Sequence, residues 1–149
     1  MLKEERKMII GVIGGSKCTP HIRKIAYQLG KGIARKGHYI VCGGLGGVME
    51  AVCQGARHGG GITIGLLPGK DKREANPYID IPLVTAMSHA RNAIIVRTAD
   101  VLVAVDGKYG TLSEIGLALA CGKKVIGIET WKIKGVTRVK DVEEALDLL

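Results

Sequence analysis

The chain has 149 residues, a length that predicts one domain, residues 1–149, able to bury its own core without disulfide or metal staples. Hydrophobic residues make up 46% and charged residues 24%, which excludes a disordered chain, and the 22 glycines follow no three-residue period, which excludes collagen. A formal net charge of +8 favours anionic partners without naming them.

Apolar periodicity alternates strand and helix along the sequence. Met8–Gly14 reads as a buried strand, and Pro20–Lys36 as a helix opened by Thr19 and Pro20 and closed by Gly37. His38–Cys42 is the second strand and Gly46–His58 the second helix. Ile62–Leu67 is the third strand, followed by a long polar loop, Pro68–Ile81, and a short strand, Leu83–Thr85. Met87–Ala99 is predicted as one helix, Val101–Val105 as a strand, and Thr111–Cys121 as a helix stopped by Gly122. Val125–Glu129 is the next strand, and Val142–Leu149 a terminal helix capped by Asp141. The basic run Lys132, Lys134, Arg138 and Lys140 between them is expected to be a solvated face. This order predicts an α/β, Rossmann-like, doubly wound sheet, mainly parallel, of six to seven strands with helices on both faces.

Further exclusions follow from what the sequence lacks. No apolar run approaches the roughly 20 residues needed to span a bilayer, and Met1–Lys7 lacks the form of a signal peptide. Cys18, Cys42, Cys53 and Cys121 form no C-x-x-C pair, which fits reduced thiols in a cytoplasm and no metal site. With no Phe, one Trp and four Tyr, the chain offers no aromatic platform for nucleic acid.

In an open parallel sheet, ligands bind beyond the carboxyl ends of the strands. Three of the loops there are rich in glycine: Gly14-Gly15-Ser16-Lys17, then Gly43-Gly44-Leu45-Gly46-Gly47, then Asp106-Gly107-Lys108-Tyr109-Gly110-Thr111. Glycine lets backbone amides approach an oxyanion, and a helix N-terminus adds a positive dipole end. The expected phosphate-binding set is therefore Gly14, Gly15, Ser16, Gly43, Gly44, Gly46, Gly47, Gly107, Lys108, Tyr109, Gly110 and Thr111. The second loop does not fit G-x-G-x-x-G and no acid follows the second strand, which argues against a dinucleotide site.

Two side chains stand out beside these loops. Arg91 falls at the centre of an apolar helical arc with Met87, Ala90, Ile94, Ile95 and Thr98. A guanidinium pointing inward asks for a carboxylate or a ligand phosphate, unless its stem snorkels to the surface. His89 and Asn92 flank it as further donors. Thr111-Leu112-Ser113-Glu114 has the form of a capping box, in which Glu114 bonds back to the Thr111 amide. The alternative is that Thr111 joins the phosphate cradle while Glu114 faces a sugar.

Gly43-Gly44-Leu45-Gly46-Gly47-Val48-Met49-Glu50 resembles the G-G-G-x-x-G-x-M segment of the Lonely Guy-type proteins of the SLOG superfamily. His89-Ala90-Arg91-Asn92 is similar to their H-x-R-K, and Asp106 to Glu114 to their P-G-G-x-G-T-x-x-E. The resemblance runs from Ile9 to about Trp131, and is nearest a short branch that includes molybdenum-cofactor carrier-like proteins. It implies a dimer or tetramer that binds a phosphorylated ligand, an AMP-like nucleotide or the molybdenum cofactor. In cytokinin-activating members the matching Arg and Glu promote N-glycosidic cleavage of nucleoside 5′-monophosphates. Those catalytic roles would fall on Arg91 and Glu114, with Gly110 and Thr111 holding the phosphate. The chain departs from the pattern at Asp106 for Pro, Lys108 for Gly and Asn92 for Lys.

Overall fold

The computed structural model describes residues 6–149; residues 1–5, on which part of the Met1–Lys7 reading rests, lie outside them. Strands β1 (Ile9–Gly14), β2 (Tyr39–Cys42), β3 (Thr63–Leu67), β4 (Ile81–Val84), β5 (Val101–Val105), β6 (Lys124–Ile128) and β7 (Thr137–Val139) form one sheet. Its order is β4-β3-β2-β1-β5-β6-β7, and every neighbouring pair is parallel. This is the doubly wound Rossmann-like architecture expected from the strand–helix alternation. The chain first winds outward from β1 to β4, then returns to place β5 on the other side of β1. The strand order thus reverses between β1 and β5, where the loops leaving their carboxyl ends diverge and open a crevice.

Alternation along each strand divides the core into two layers. Ile10, Val12, Ile40 and Cys42 face α1 (Pro20–Arg35), α2 (Val48–His58) and α5 (Val142–Asp147). Ile13, Val41, Leu102 and Ala104 face α3 (Asn92–Thr98) and α4 (Tyr109–Ala120). The tightest helix contact is α1 against α2. A Cβ on Gly30 would lie 1.9 Å from the Val52 carbonyl oxygen, and one on Gly55 would lie 1.9 Å from that of Tyr27. Backbone packs directly on backbone there, so neither helix tolerates a side chain at the crossing.

Several boundaries differ from the sequence expectation. The segment 87–99 is not one helix: Ser88–Arg91 is a 3₁₀ turn and α3 begins at Asn92. Ala86 and Ser88 have φ of 54° and 52°, values a right-handed helix excludes. Three amides of this bend are held by the end of β3 and the two residues after it: Thr85 N–H bonds Leu67 O, Ala86 N–H bonds Gly69 O and Ser88 N–H bonds Pro68 O. β4 lies earlier than expected, at Ile81–Val84, and a 3₁₀ turn, Lys72–Glu74, interrupts the polar loop. β7 was not apparent in the basic run because it is an exposed edge strand of three residues with no apolar alternation.

The Gly30 and Gly55 contacts yield a prediction. Alanine gains up to about 1 kcal/mol of helix propensity over glycine, but overpacking against rigid backbone costs about 1–3 kcal/mol or more. Gly30→Ala and Gly55→Ala are each expected to lower the urea midpoint by a net loss of about 2 kcal/mol. An unchanged midpoint would show that the helices separate freely.

Candidate functional site

The reversal between β1 and β5 opens onto a cavity of about 330 Å³, within the range of small-molecule sites. Its walls come from four places in the chain. The β1–α1 loop supplies Gly14, Gly15, Ser16 and Lys17; the β2–α2 loop supplies Gly43 and Leu45; the turn before α3 supplies His89, Arg91 and Asn92; the β5–α4 loop supplies Asp106, Gly107, Lys108, Gly110 and Thr111. Glu114, one turn further along α4, completes the floor with apolar Val12, Ile13, Met49 and Ile95.

The three helix starts near the cavity differ in what they offer. At α1 the Thr19 side chain accepts from the Ile22 amide, so that end is capped by the protein itself. At α2 the Val48 amide is taken by Gly15 O at 3.0 Å. At α4 no side chain caps the helix, and its earliest amide bond runs from Leu112 N–H to Lys108 O. The amides of Tyr109, Gly110 and Thr111 precede that bond and have no acceptor within the helix. The start of α4 therefore presents three consecutive open amides and a dipole end without a side-chain cap to an anion, with Gly110 and Thr111 in the cavity wall.

This corrects the reading of the second loop. Gly44, Gly46 and Gly47 do not line the cavity. A Cβ on Gly47 would lie 2.3 Å from Gly15 O, and one on Gly46 would lie 3.2 Å from Ser16 O. Gly44, at φ 78°, would collide with Leu67. These glycines let one loop pack on another. Tyr109 also lies outside the lining, 80% exposed, with its ring centroid 6.1 Å from that of Trp131.

The capping-box alternative also gives way. α4 starts at Tyr109, so Thr111 sits inside the first turn instead of at the cap. Gly107 sets this start: its φ is 96°, and a Cβ there would lie 2.2 Å from Thr111 Oγ1. Thr130 Oγ1 donates to Asp106 O at 2.6 Å and Trp131 Nε1 donates to Lys108 O at 3.0 Å, bracing the loop from behind.

Arg91 and Glu114 face the cavity from the interior, 7% and 9% exposed. Arg91 does not snorkel. Its Nε donates to Leu66 O at 2.8 Å, Nη1 donates to Asn92 Oδ1, and Nη2 lies where a Gly43 Cβ would come within 2.8 Å. Gly43 thus lacks a side chain because the guanidinium occupies that space. Among the described residues Glu114 makes no side-chain hydrogen bond and no ion pair within 4.0 Å. Burial pushes its carboxyl up to about 7, with the charge of Arg91 opposing the rise. Burial also lowers the Arg91 value, against Glu114 and Cys42. Behind the second loop, Cys42 Sγ lies 3.6 Å from Cys53 Sγ and accepts from the Gly44 amide.

An open parallel sheet with a cavity at its strand-order reversal, roofed by an uncapped helix start, defines a Rossmann-like α/β protein. The chain belongs to the SLOG cluster4 family, whose model matches residues 7–147. A protein from Archaeoglobus fulgidus is 46% identical over 141 residues, which cover 94% of this chain and 93% of that one. A cytokinin riboside 5′-monophosphate phosphoribohydrolase of Arabidopsis thaliana is 30% identical over 122 residues, covering 80% of this chain; the match spans 52% of the plant protein. Among solved structures, the molybdenum cofactor binding protein from Rippkaea orientalis superposes with a TM-score of 0.91 at 38% identity, covering 97% of this chain and 96% of that one. The molybdenum cofactor carrier protein from Chlamydomonas reinhardtii does so at 0.89 and 36%, covering 96% of each.

The raised Glu114 value carries a stability consequence. Between about pH 4.5 and 7 the unfolded chain releases a proton that the folded chain keeps, so stability falls as pH rises through that window. At pH 8 the penalty is on the order of 3 kcal/mol. Glu114→Gln is expected to raise the urea midpoint at pH 8 and to leave it nearly unchanged at pH 4.5. Equal gains at both pH values would mean that the carboxyl is not the source.

Proposed function

We propose that the cavity binds a small phosphorylated ligand, an AMP-like nucleotide or a molybdopterin-type cofactor carried as cargo, with its phosphate on the α4 N-terminus. The observation that carries this reading is the set of open amides at Tyr109, Gly110 and Thr111 above a cavity floored by buried Arg91 and Glu114. A phosphate accepts from those amides, with Thr111 Oγ1 beside them, through charge-assisted bonds of about 1.5–3 kcal/mol each. Gly14, Gly15, Ser16, Gly43 and Gly107 leave space for it, Asn92 adds a donor, and Lys108 stands at the rim of the same cavity. The molybdenum cofactor proteins named above match the chain almost end to end, which supports the carrier form of this reading. In it the protein acts in the cytoplasm. It also acts as a homo-oligomer: Tyr109 with half-buried Leu112 and Leu117 gives α4 an apolar outer face suited to a second copy.

A second reading, nucleoside 5′-monophosphate phosphoribohydrolase, is favoured by one observation. A carboxyl held near 7 beside a guanidinium is suited to proton transfer at neutral pH. In this reading Glu114, ionised, stabilises the oxocarbenium-like sugar formed as the base leaves, and Arg91 positions the ligand within the same cavity.

Titration calorimetry with AMP tests the binding reading. Wild-type protein is expected to bind at micromolar strength, and Arg91→Ala and Thr111→Ala each to weaken binding at least tenfold. Unchanged affinity in both would remove the site. Chromatography of a nucleoside monophosphate panel tests turnover: release of free base that Glu114→Gln abolishes establishes the hydrolase, whereas binding without release leaves the carrier.

A further inference from the structure

We infer that the site selects a ligand bearing a second anionic group next to its phosphate, as a nucleoside diphosphate does, and that Lys17 and Lys108 together make this selection. The inference rests on the binding reading above and adds to it the class of ligand. The cavity holds more than a helix start, because Glu114 lies nine-tenths buried at its floor without a hydrogen-bond partner among the described residues.

The placement of the two lysines follows from the register of the sheet. Gly14 pairs with Val105 at the carboxyl ends of the parallel strands β1 and β5. Lys17 and Lys108 each stand three positions beyond that pair, on adjacent loops that line the same cavity. Both are exposed, and among the described residues neither ammonium makes an ion pair or a hydrogen bond. At the rim His89 joins them, Asp106 is the acid that opposes them, and Arg91 and Glu114 lie beneath. The rim therefore carries an excess of positive charge that the protein leaves unneutralised. A monoester phosphate seated on the α4 amides satisfies the helix start. It leaves unpaired cations on two sides of the opening, close enough to the same cavity to serve one further anion.

Lys108 also marks this chain out within the resemblance, since glycine is the residue of the P-G-G-x-G-T-x-x-E pattern at that position. Its side chain springs from the N-cap of α4, directly before the open amides. An ammonium there adds charge to the dipole end without blocking the amides that follow.

Titration calorimetry with AMP and ADP at one fixed ionic strength tests the inference in wild type, Lys17→Ala, Lys108→Gly and, as a charge-matched control away from the cavity, Lys134→Ala. The expected result is ADP bound at least tenfold more tightly than AMP by wild type and by Lys134→Ala. The ratio is expected to fall within about threefold in Lys17→Ala and in Lys108→Gly. Equal affinity for AMP and ADP in wild type, with both binding, overturns this inference and leaves the binding reading intact. A ratio that survives both cavity substitutions overturns the assignment to these lysines, and failure of wild type to bind either nucleotide overturns this inference together with the nucleotide form of the binding reading.

Discussion

A guanidinium held out of water with no carboxylate within 4.0 Å among the described residues is the constraint around which this molecule is arranged. Removing such an ion from water costs several kcal/mol, and Arg91 recovers part of that through the Leu66 carbonyl and Asn92. The geometry that achieves this reaches far along the chain. Gly43 has no side chain because the guanidinium lies against it. The bend at Ala86 to Ser88 takes left-handed backbone that costs alanine about 1–2 kcal/mol, and it delivers the 3₁₀ turn from which Arg91 points inward. Glu114 bears the complementary burden, buried with no hydrogen-bond partner among the described residues. Both groups are poorly served by the fold alone, as expected where a polar ligand completes the arrangement.

The loop before α4 is built on left-handed backbone. Asp106 has a φ of 50°, which proline, fixed near −65°, does not reach. Aspartate tolerates that region better than most residues, and Gly107 continues the turn at φ 96°. The bonds from Thr130 and Trp131 then hold the carbonyls of Asp106 and Lys108 in place. The open amides of α4 are thus fixed by contacts from behind, independent of what lies in front.

Much of this architecture was legible in the sequence. β1, β3, β5 and β6 are runs of Ile, Val and Leu buried on both faces, and such runs separated by helical periodicity have few other solutions. Arg91 was legible because a cation amid Ile94 and Ile95 contradicts its surroundings. The failures have physical causes of a different kind. β7 is an exposed edge with no apolar signature, and the left-handed Ser88 that breaks the start of the expected helix is set by hydrogen bonds to Pro68 and its neighbours, distant in sequence. Gly44, Gly46 and Gly47 could not be told from ligand-facing glycines, since close packing of a loop on a loop imposes the same requirement as close approach of a phosphate. The Thr111–Glu114 spacing fits a cap equally well, and only the start of α4 at Tyr109 separates the two meanings.

The indole of Trp131, the only tryptophan in the chain, has a further use. It donates to the carbonyl of Lys108 and lies against the ring of Tyr109, so the one dominant intrinsic chromophore is fastened to the segment that borders the cavity. Its emission wavelength and quenching become a native optical gauge of that segment, readable without any label.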